Sequence, residues 1–305
     1  MTARNDRTRV AEPLFVGVPG RDPLPLHRDS IARIGALAQL SQWPTQGGRA
    51  VAAVLDANGV DKSRGSYDEV FPWASVTKLV TAVAVLVAVA EGVLDLDAPA
   101  GPPGSTIRHL LAHASGLPLD GDAPIAQPGQ RRIYSNAGFE VLADALGTAA
   151  EMPFERYLTE AVLRPLKMRA TLKGSPAWGL HGSLGDLARL GRELLQPTFL
   201  LADETIEEAT SVQFPGLVGV LPGFGRQEPN DWGLGFELKD AKRPHWTGEK
   251  NSPRTFGHFG QSGTFLWVDP DAELALACLT DLPFGAWARE AWPRLSDAVL
   301  AEARG

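Results

Sequence analysis

The chain has 305 residues, 44% of them apolar and 21% charged, with a formal net charge of −7. That is enough apolar material for one sizeable core, and an acidic balance with no basic run argues against a nucleic-acid partner, because phosphate binding needs a basic surface. The longest apolar stretch, Leu79 to Ala90, is shorter than the ~20 residues a membrane span needs, and the one cysteine excludes a disulfide within the chain.

In chain order, residues 1–25 carry four prolines and read as an extended arm. No secretory apolar core follows the charged N-terminus, so the expected location is cytoplasmic. Ser30 is placed to cap a helix with Ile31, Ile34, Leu37 and Leu40 on one face. Ala50 to Leu55 is a buried-strand pattern, followed by the turn pair Asn58-Gly59. Ser75 to Gly92 is apolar on every side and predicts a helix at the centre of a domain. Arg108 to His113 is a short helix, and residues 114–133 form a long loop. Helices are expected over Asn136–Leu146, Pro153–Leu166 and Ser183–Leu195, the last capped by Ser183, with a short one near 203–209. From residue 233 the pattern turns extended. Gly233–Leu238, Thr255–Phe259, Thr264–Val268 and Glu273–Thr280 read as strands, with a turn at Asp269-Pro270-Asp271, and residues 286–303 as an amphipathic final helix. Cys278 falls inside the last strand and reads as structural.

Strands at both ends and helices between them predict an α+β fold. An antiparallel sheet is assembled from the two chain ends, flanked by helices, with an all-helical subdomain inserted. The expected division is the arm at 1–25 and one domain over 26–305, its α/β part being 26–74 plus 231–305 and its helical part 75–230. A site between the two parts suits a small ligand.

Three short motifs carry candidate chemistry. In Ser75-Val-Thr-Lys78 the hydroxyl stands at a helix N-terminus, where free amides favour negative charge. Lys78 lies one turn on, in apolar surroundings that disfavour its ammonium form, and an uncharged amine there can activate a serine. The bland alternative is a capping serine with a snorkelling lysine. In Tyr134-Ser135-Asn136 the phenol could share proton transfer and the amide could orient a substrate, against a loop tyrosine and an Asn helix cap. In His258-Phe259-Gly260-Gln261 the glycine lets a ligand lie close to a strand, and the Gln261 amide with that of Ser75 would form an oxyanion hole. His109 and His113, four apart, lack a third ligand at sensible spacing, so neither a metal nor any other cofactor is expected.

The motifs occur in the order Ser-x-x-Lys, Tyr-x-Asn, His-x-Gly. This order resembles the serine β-lactamase and penicillin-binding protein superfamily, most of all its class C β-lactamase-like branch of esterases, β-lactamases and D-amino-acid peptidases. Phe71 to Lys78, Glu91 to Asp97, Ile107 to Pro118, Pro128-Gly129 and Trp232 to Phe236 are similar to stretches of that branch. The resemblance implies a β-lactamase/transpeptidase-like fold and a serine hydrolase working through an acyl-enzyme. Ser75 would be the nucleophile and Lys78 with Tyr134 the proton-transfer set, while Asn136, His258, Gly260 and Gln261 would contact a small ester, amide or β-lactam substrate. His258 stands where many relatives carry lysine, and Phe259 where they carry a small hydroxyl residue, which weakens the expectation of β-lactam turnover. The helical middle is short for the branch, implying an open site. A peptidase or transpeptidase on D-amino-acid peptides, or a non-catalytic ligand-binding protein, are the competing readings.

Overall fold

The computed structural model describes residues 35–45 and 49–304. The expected arm, and Ser30, Ile31 and Ile34 of the first expected helix, lie outside them. Leu37 and Leu40 sit buried on a 3-10 helix, Ala36–Gln42.

Eleven strands and seven α-helices follow among the described residues. In the first part of the chain come β1 (Ala50–Asp56), β2 (Gly59–Arg64), β3 (Val70–Pro72), α1 (Thr77–Ala90), α2 (Ile107–Leu111), α3 (Ala137–Ala149) and α4 (Phe154–Leu158). Next are β4 (Thr171–Leu172), β5 (Leu180–Ser183), α5 (Leu184–Leu195), α6 (Asp203–Ala209), β6 (Gly219–Leu221) and β7 (Gly225–Gln227). The last are β8 (Glu237–Leu238), β9 (Phe256–Phe259), β10 (Phe265–Asp269), β11 (Leu274–Thr280) and α7 (Ala286–Arg304).

The main sheet has the order β2-β1-β11-β10-β9-β8, so the first strand pairs with the last, Ala52 opposite Cys278. The two-residue period of β1 divides the core. Ala50, Ala52 and Val54 face α7 and the 3-10 helix with Trp267, Trp292 and Leu295. Val51, Ala53 and Leu55 point to the opposite face, where α5 packs on the strand. Helix α5 opens with a capping box in which Ser183 and Asp186 satisfy each other's amides. It lies close to the sheet because Gly191 has no side chain, and a Cβ there would stand 2.8 Å from Leu55. Helix α1 is buried from Thr77 to Ala88, as its unbroken apolar character requires.

Two expected elements come out differently. Only Glu237–Leu238 of the expected 233–238 strand is extended, because Gly235 at φ 83° and the Gly233 amide bonded to the Phe236 carbonyl fold residues 233–236 into a turn. The expected helix from Pro153 to Leu166 is α-helical only to Leu158 and then widens into a π-helical turn, Thr159–Leu163. Two small sheets, β3-β5-β4 and β6-β7, have no counterpart in the sequence reading, since their strands are two to four residues long. No helix among the described residues is long and apolar enough to cross a membrane.

Because α1 is enclosed on all sides, removing its side-chain volume leaves a cavity that the surroundings cannot fill. Leu86→Ala is expected to lower unfolding stability by about 2–5 kcal/mol in a urea titration, with the fold retained.

Candidate active site

Ser75 sits in a tight 3-10 turn, Ala74–Val76, immediately before α1. Ala74 has φ 45°, a left-handed conformation costly for a residue with a Cβ, and this bend presents Ser75 at the helix mouth. Lys78 follows on the first turn of α1, completely buried. Its Nζ donates to Asn136 Oδ1 at 2.7 Å and to the Ala177 carbonyl at 3.0 Å, and it lies 4.8 Å from the centre of the Tyr134 ring. Desolvation pulls its pKa down to about 7, opposed by the carboxylates of Asp120 and Glu140.

The start of α3 explains why Asn136 is free to meet Lys78. The sequence reading offered Asn136 as a helix cap, but Ser135 holds the first turn instead, its Oγ accepting from the Gly138 amide at 2.9 Å. The Asn136 carboxamide therefore faces inward, its oxygen toward Lys78 and its Nδ2 donating to Asp120 at 3.1 Å.

Tyr134 stands between the other groups. Burial holds the phenol well above its usual pKa against the opposing effect of Ser75, so it stays protonated. On the far side it lies 3.4 Å from His258 Nε2. His258 Nδ1 is 2.6 Å from its neighbour's carbonyl at Phe259, so Nδ1 carries the ring proton and Nε2 is the acceptor. Desolvation first, and then the charge of Lys78, push the pKa of His258 down to about 3. The imidazole is thus uncharged and receives the Tyr134 proton as a hydrogen bond.

His113, weighed in the sequence only as half of a metal pair, lies in this cluster while His109 bonds Thr106 outside it. Its ring packs on Tyr134 at 4.7 Å and meets Trp232 edge to face at 4.6 Å. Nδ1 accepts from the Ser135 amide at 3.1 Å, so His113 holds the turn that carries Tyr134. The sequence signal was its place in Leu110-Leu-Ala-His-Ala-Ser-Gly116, but nothing local pointed to Tyr134, 21 residues on. Below Trp232 lies another network missed in the sequence. Glu237, fully buried, accepts from His245 and Trp246 at 2.8 Å and pairs with Lys242 at 2.5 Å. Its carboxylate falls to about 2 because the charges and hydrogen bonds of His245 and Lys242 outweigh its burial. Lys242 also donates to the Asp231 and Leu238 carbonyls, so this ion pair ties the Trp232 segment to the strand beside His258.

Gly260 and Gln261 complete the geometry. A Cβ on Gly260 would lie 2.4 Å from the Trp73 carbonyl and 3.2 Å from the Ser75 amide nitrogen, so only glycine lets the end of β9 approach the Ser75 turn. Among the described residues no carbonyl accepts from the amides of Ser75 or Gln261. Ser75, Tyr134, Asn136, His258 and Gln261 line one cavity of about 320 Å³ with Leu119, Leu221, Pro222, Trp232, Glu237 and Phe259. Lys78 does not line it but is hydrogen-bonded to Asn136, which does, and Phe259 forms part of the wall.

A family model described as Beta-lactamase matches residues 41–301. The chain belongs to this family. A crystal structure of a beta-lactamase from Mycobacterium bovis is 54% identical, covers 88% of this chain and 99% of its own, and superposes with a TM-score of 0.86. A hydrolase with promiscuous acyltransferase activity shares the fold at 18% identity and TM-score 0.71, covering 87% and 97% of the two chains. The D-alanyl-D-alanine-carboxypeptidase/endopeptidase AmpH of Escherichia coli (strain K12) is 30% identical over 145 residues, 35% of this chain and 38% of that protein. A putative D-alanyl-D-alanine carboxypeptidase of Escherichia coli O157:H7 is matched over 57% of its length. The chain thus spans well under two thirds of these curated relatives.

In this β-lactamase-family chain the close approach at Gly260 bears directly on the Ser75 turn. Gly260→Ala is expected to push β9 away from Ser75 and to lower kcat/KM for an activated ester at least about 100-fold, the scale of losing an oxyanion donor. Far-ultraviolet circular dichroism should stay close to that of the parent.

Proposed function

We propose that the protein is a serine hydrolase that acts on small uncharged esters or amides through an acyl-enzyme on Ser75. The observation that carries this reading is a cavity without a fixed cation: Ser75 shares it with a protonated phenol and an uncharged imidazole, no arginine or lysine lines it, and its one carboxylate, Glu237, is paired with Lys242.

The proposed sequence starts with Ser75 Oγ attacking the substrate carbonyl carbon while its proton passes to the free amine of Lys78. Tyr134 cannot be the first base, because burial keeps its proton in place. The amides of Ser75 and Gln261 stabilise the oxyanion. As the intermediate collapses, Tyr134 hands a proton to the leaving atom and is reprotonated from Lys78. Water then repeats the steps in reverse roles to release the acid. His258, with its pKa near 3, is too weak a base to take part and orients the Tyr134 hydroxyl. Asn136 bridges Lys78 and Asp120, and its contact with substrate is part of the proposal.

An uncharged histidine offers no fixed charge to a substrate carboxylate, and this disfavours D-alanyl peptides with a free C-terminus and many β-lactams. The peptidase reading is favoured only by the names of the partial relatives. We include in the proposal a cytoplasmic setting and a single working domain over residues 26–305, preceded by the arm at 1–25.

Intact-mass detection of acylation by p-nitrophenyl acetate is the test. The wild type should gain the acyl mass and Ser75→Ala should not; label that persists in Ser75→Ala ends the proposal. Lys78→Ala should slow turnover about 10²–10⁴-fold. The reactive amine is the deprotonated form, so acylation should rise with pH through about 7 and level off above it, with no step near 6.5 from His258. A D-alanyl-D-alanine peptide cleaved faster than the ester would favour the peptidase instead.

A further inference from the structure

Among the described residues six large apolar side chains are exposed, and three of them, Leu119 at 49%, Ile125 at 56% and Val220 at 58%, line one groove. Apolar residues exposed singly need no account, whereas a cluster of them marks a binding surface. The groove encloses about 660 Å³ and is continuous with the catalytic cavity, sharing Leu119, Tyr134 and Pro222 with it.

Its walls are tied to the backbone that carries the catalytic groups. The Leu119 carbonyl accepts from the amides of Asn136 and Ala137 at 2.7 and 3.2 Å, so Leu119 and Asn136 are placed together. The opposite wall is the β6–β7 hairpin, joined to the Tyr134 segment by the Arg132 amide donating to the Val218 carbonyl at 3.0 Å. Ile125 is held by its amide to the Gly116 carbonyl at 2.9 Å and by Arg131 donating to its carbonyl at 3.2 Å. The groove has no carboxylate in its lining. Of its three arginines, Arg132 is buried and donates to four backbone carbonyls, Arg226 pairs with Glu228, and Arg131 holds Ile125. What the groove offers a ligand is therefore mainly apolar surface leading to Tyr134.

We propose that this groove holds an apolar chain of the ester substrate, so that the enzyme prefers medium-chain esters to acetate esters of short alcohols. The inference rests on the ester-hydrolase reading of the adjoining cavity and adds its substrate class. The chain reaches the groove past Tyr134 and displaces water from Leu119, Ile125 and Val220.

Binding to the Ser75→Ala protein tests the groove without depending on catalysis. Isothermal titration with ethyl acetate, octyl acetate and ethyl octanoate is expected to show one long ester binding at least about tenfold tighter than ethyl acetate, as desolvation of several methylenes requires. Octyl acetate as the tighter ligand places the alcohol half in the groove, and ethyl octanoate the acyl half. Val220→Asp, or Ile125→Asp should the first variant fold poorly, each made in the Ser75→Ala background, is expected to bring the ratio of long to short near one. Equal affinity for all three esters, or a ratio unchanged by either aspartate, overturns the proposal. Wild-type protein that acetylates at Ser75 but shows no chain preference refutes the groove alone, whereas chain-dependent binding with no acylation refutes the hydrolase reading alone.

Discussion

An amine stripped of water is the constraint on which the rest of this structure turns. Lys78 is buried at the start of a helix that is apolar on every side, and its two hydrogen-bond partners, a side-chain amide and a backbone carbonyl, carry no charge. Desolvation therefore dominates and holds the group near neutrality in ordinary buffer. Asp120 and Glu140 pull the other way, and their carboxylates keep the amine from falling further. A lysine with a full hydration shell would be charged and inert as a base, so the apolar helix that stabilises the fold also sets the reactivity proposed for the site.

The same desolvation sorts the neighbouring groups into fixed states. It keeps Tyr134 protonated and His258 unprotonated, so the pair makes a hydrogen bond of one polarity, phenol to imidazole. His113 and Trp232 pack around them, and the buried Glu237–Lys242 pair anchors the floor. Such an ion pair is seldom a large source of stability, because both charges lose their water. Its place between the Trp232 segment and the strand beside His258 makes it a geometric tie that orients the cluster.

Much of the architecture was legible from residue order. The short apolar run at 50–55 before a turn pair, the continuous apolar run after Ser75 and the capping serine at 183 each encode a local structure strongly enough to be read alone. The short strands β3 to β7 were not, since two to four residues carry no period. The 233–238 segment looked extended, yet a glycine turn and the hydrogen bonds of its neighbours folded it back. At the site, spacing put Ser75 and Lys78 on one helical turn. It could not show that Ser135 caps α3 and leaves Asn136 free for Lys78, because that depends on which hydroxyl reaches the Gly138 amide.

By itself the sequence determined the class of fold, which follows from local periodicity, while the order of its motifs carried a resemblance to a family and offered candidate side chains for chemistry. Tertiary structure alone decided the protonation states, the partner of each polar group and the shape of the groove beside Tyr134. Those depend on desolvation and on contacts between residues far apart in the chain, Tyr134 with His258 and Arg132 with Val218 among them. Burial and long-range distance are properties of the packed chain, and no local pattern encodes them.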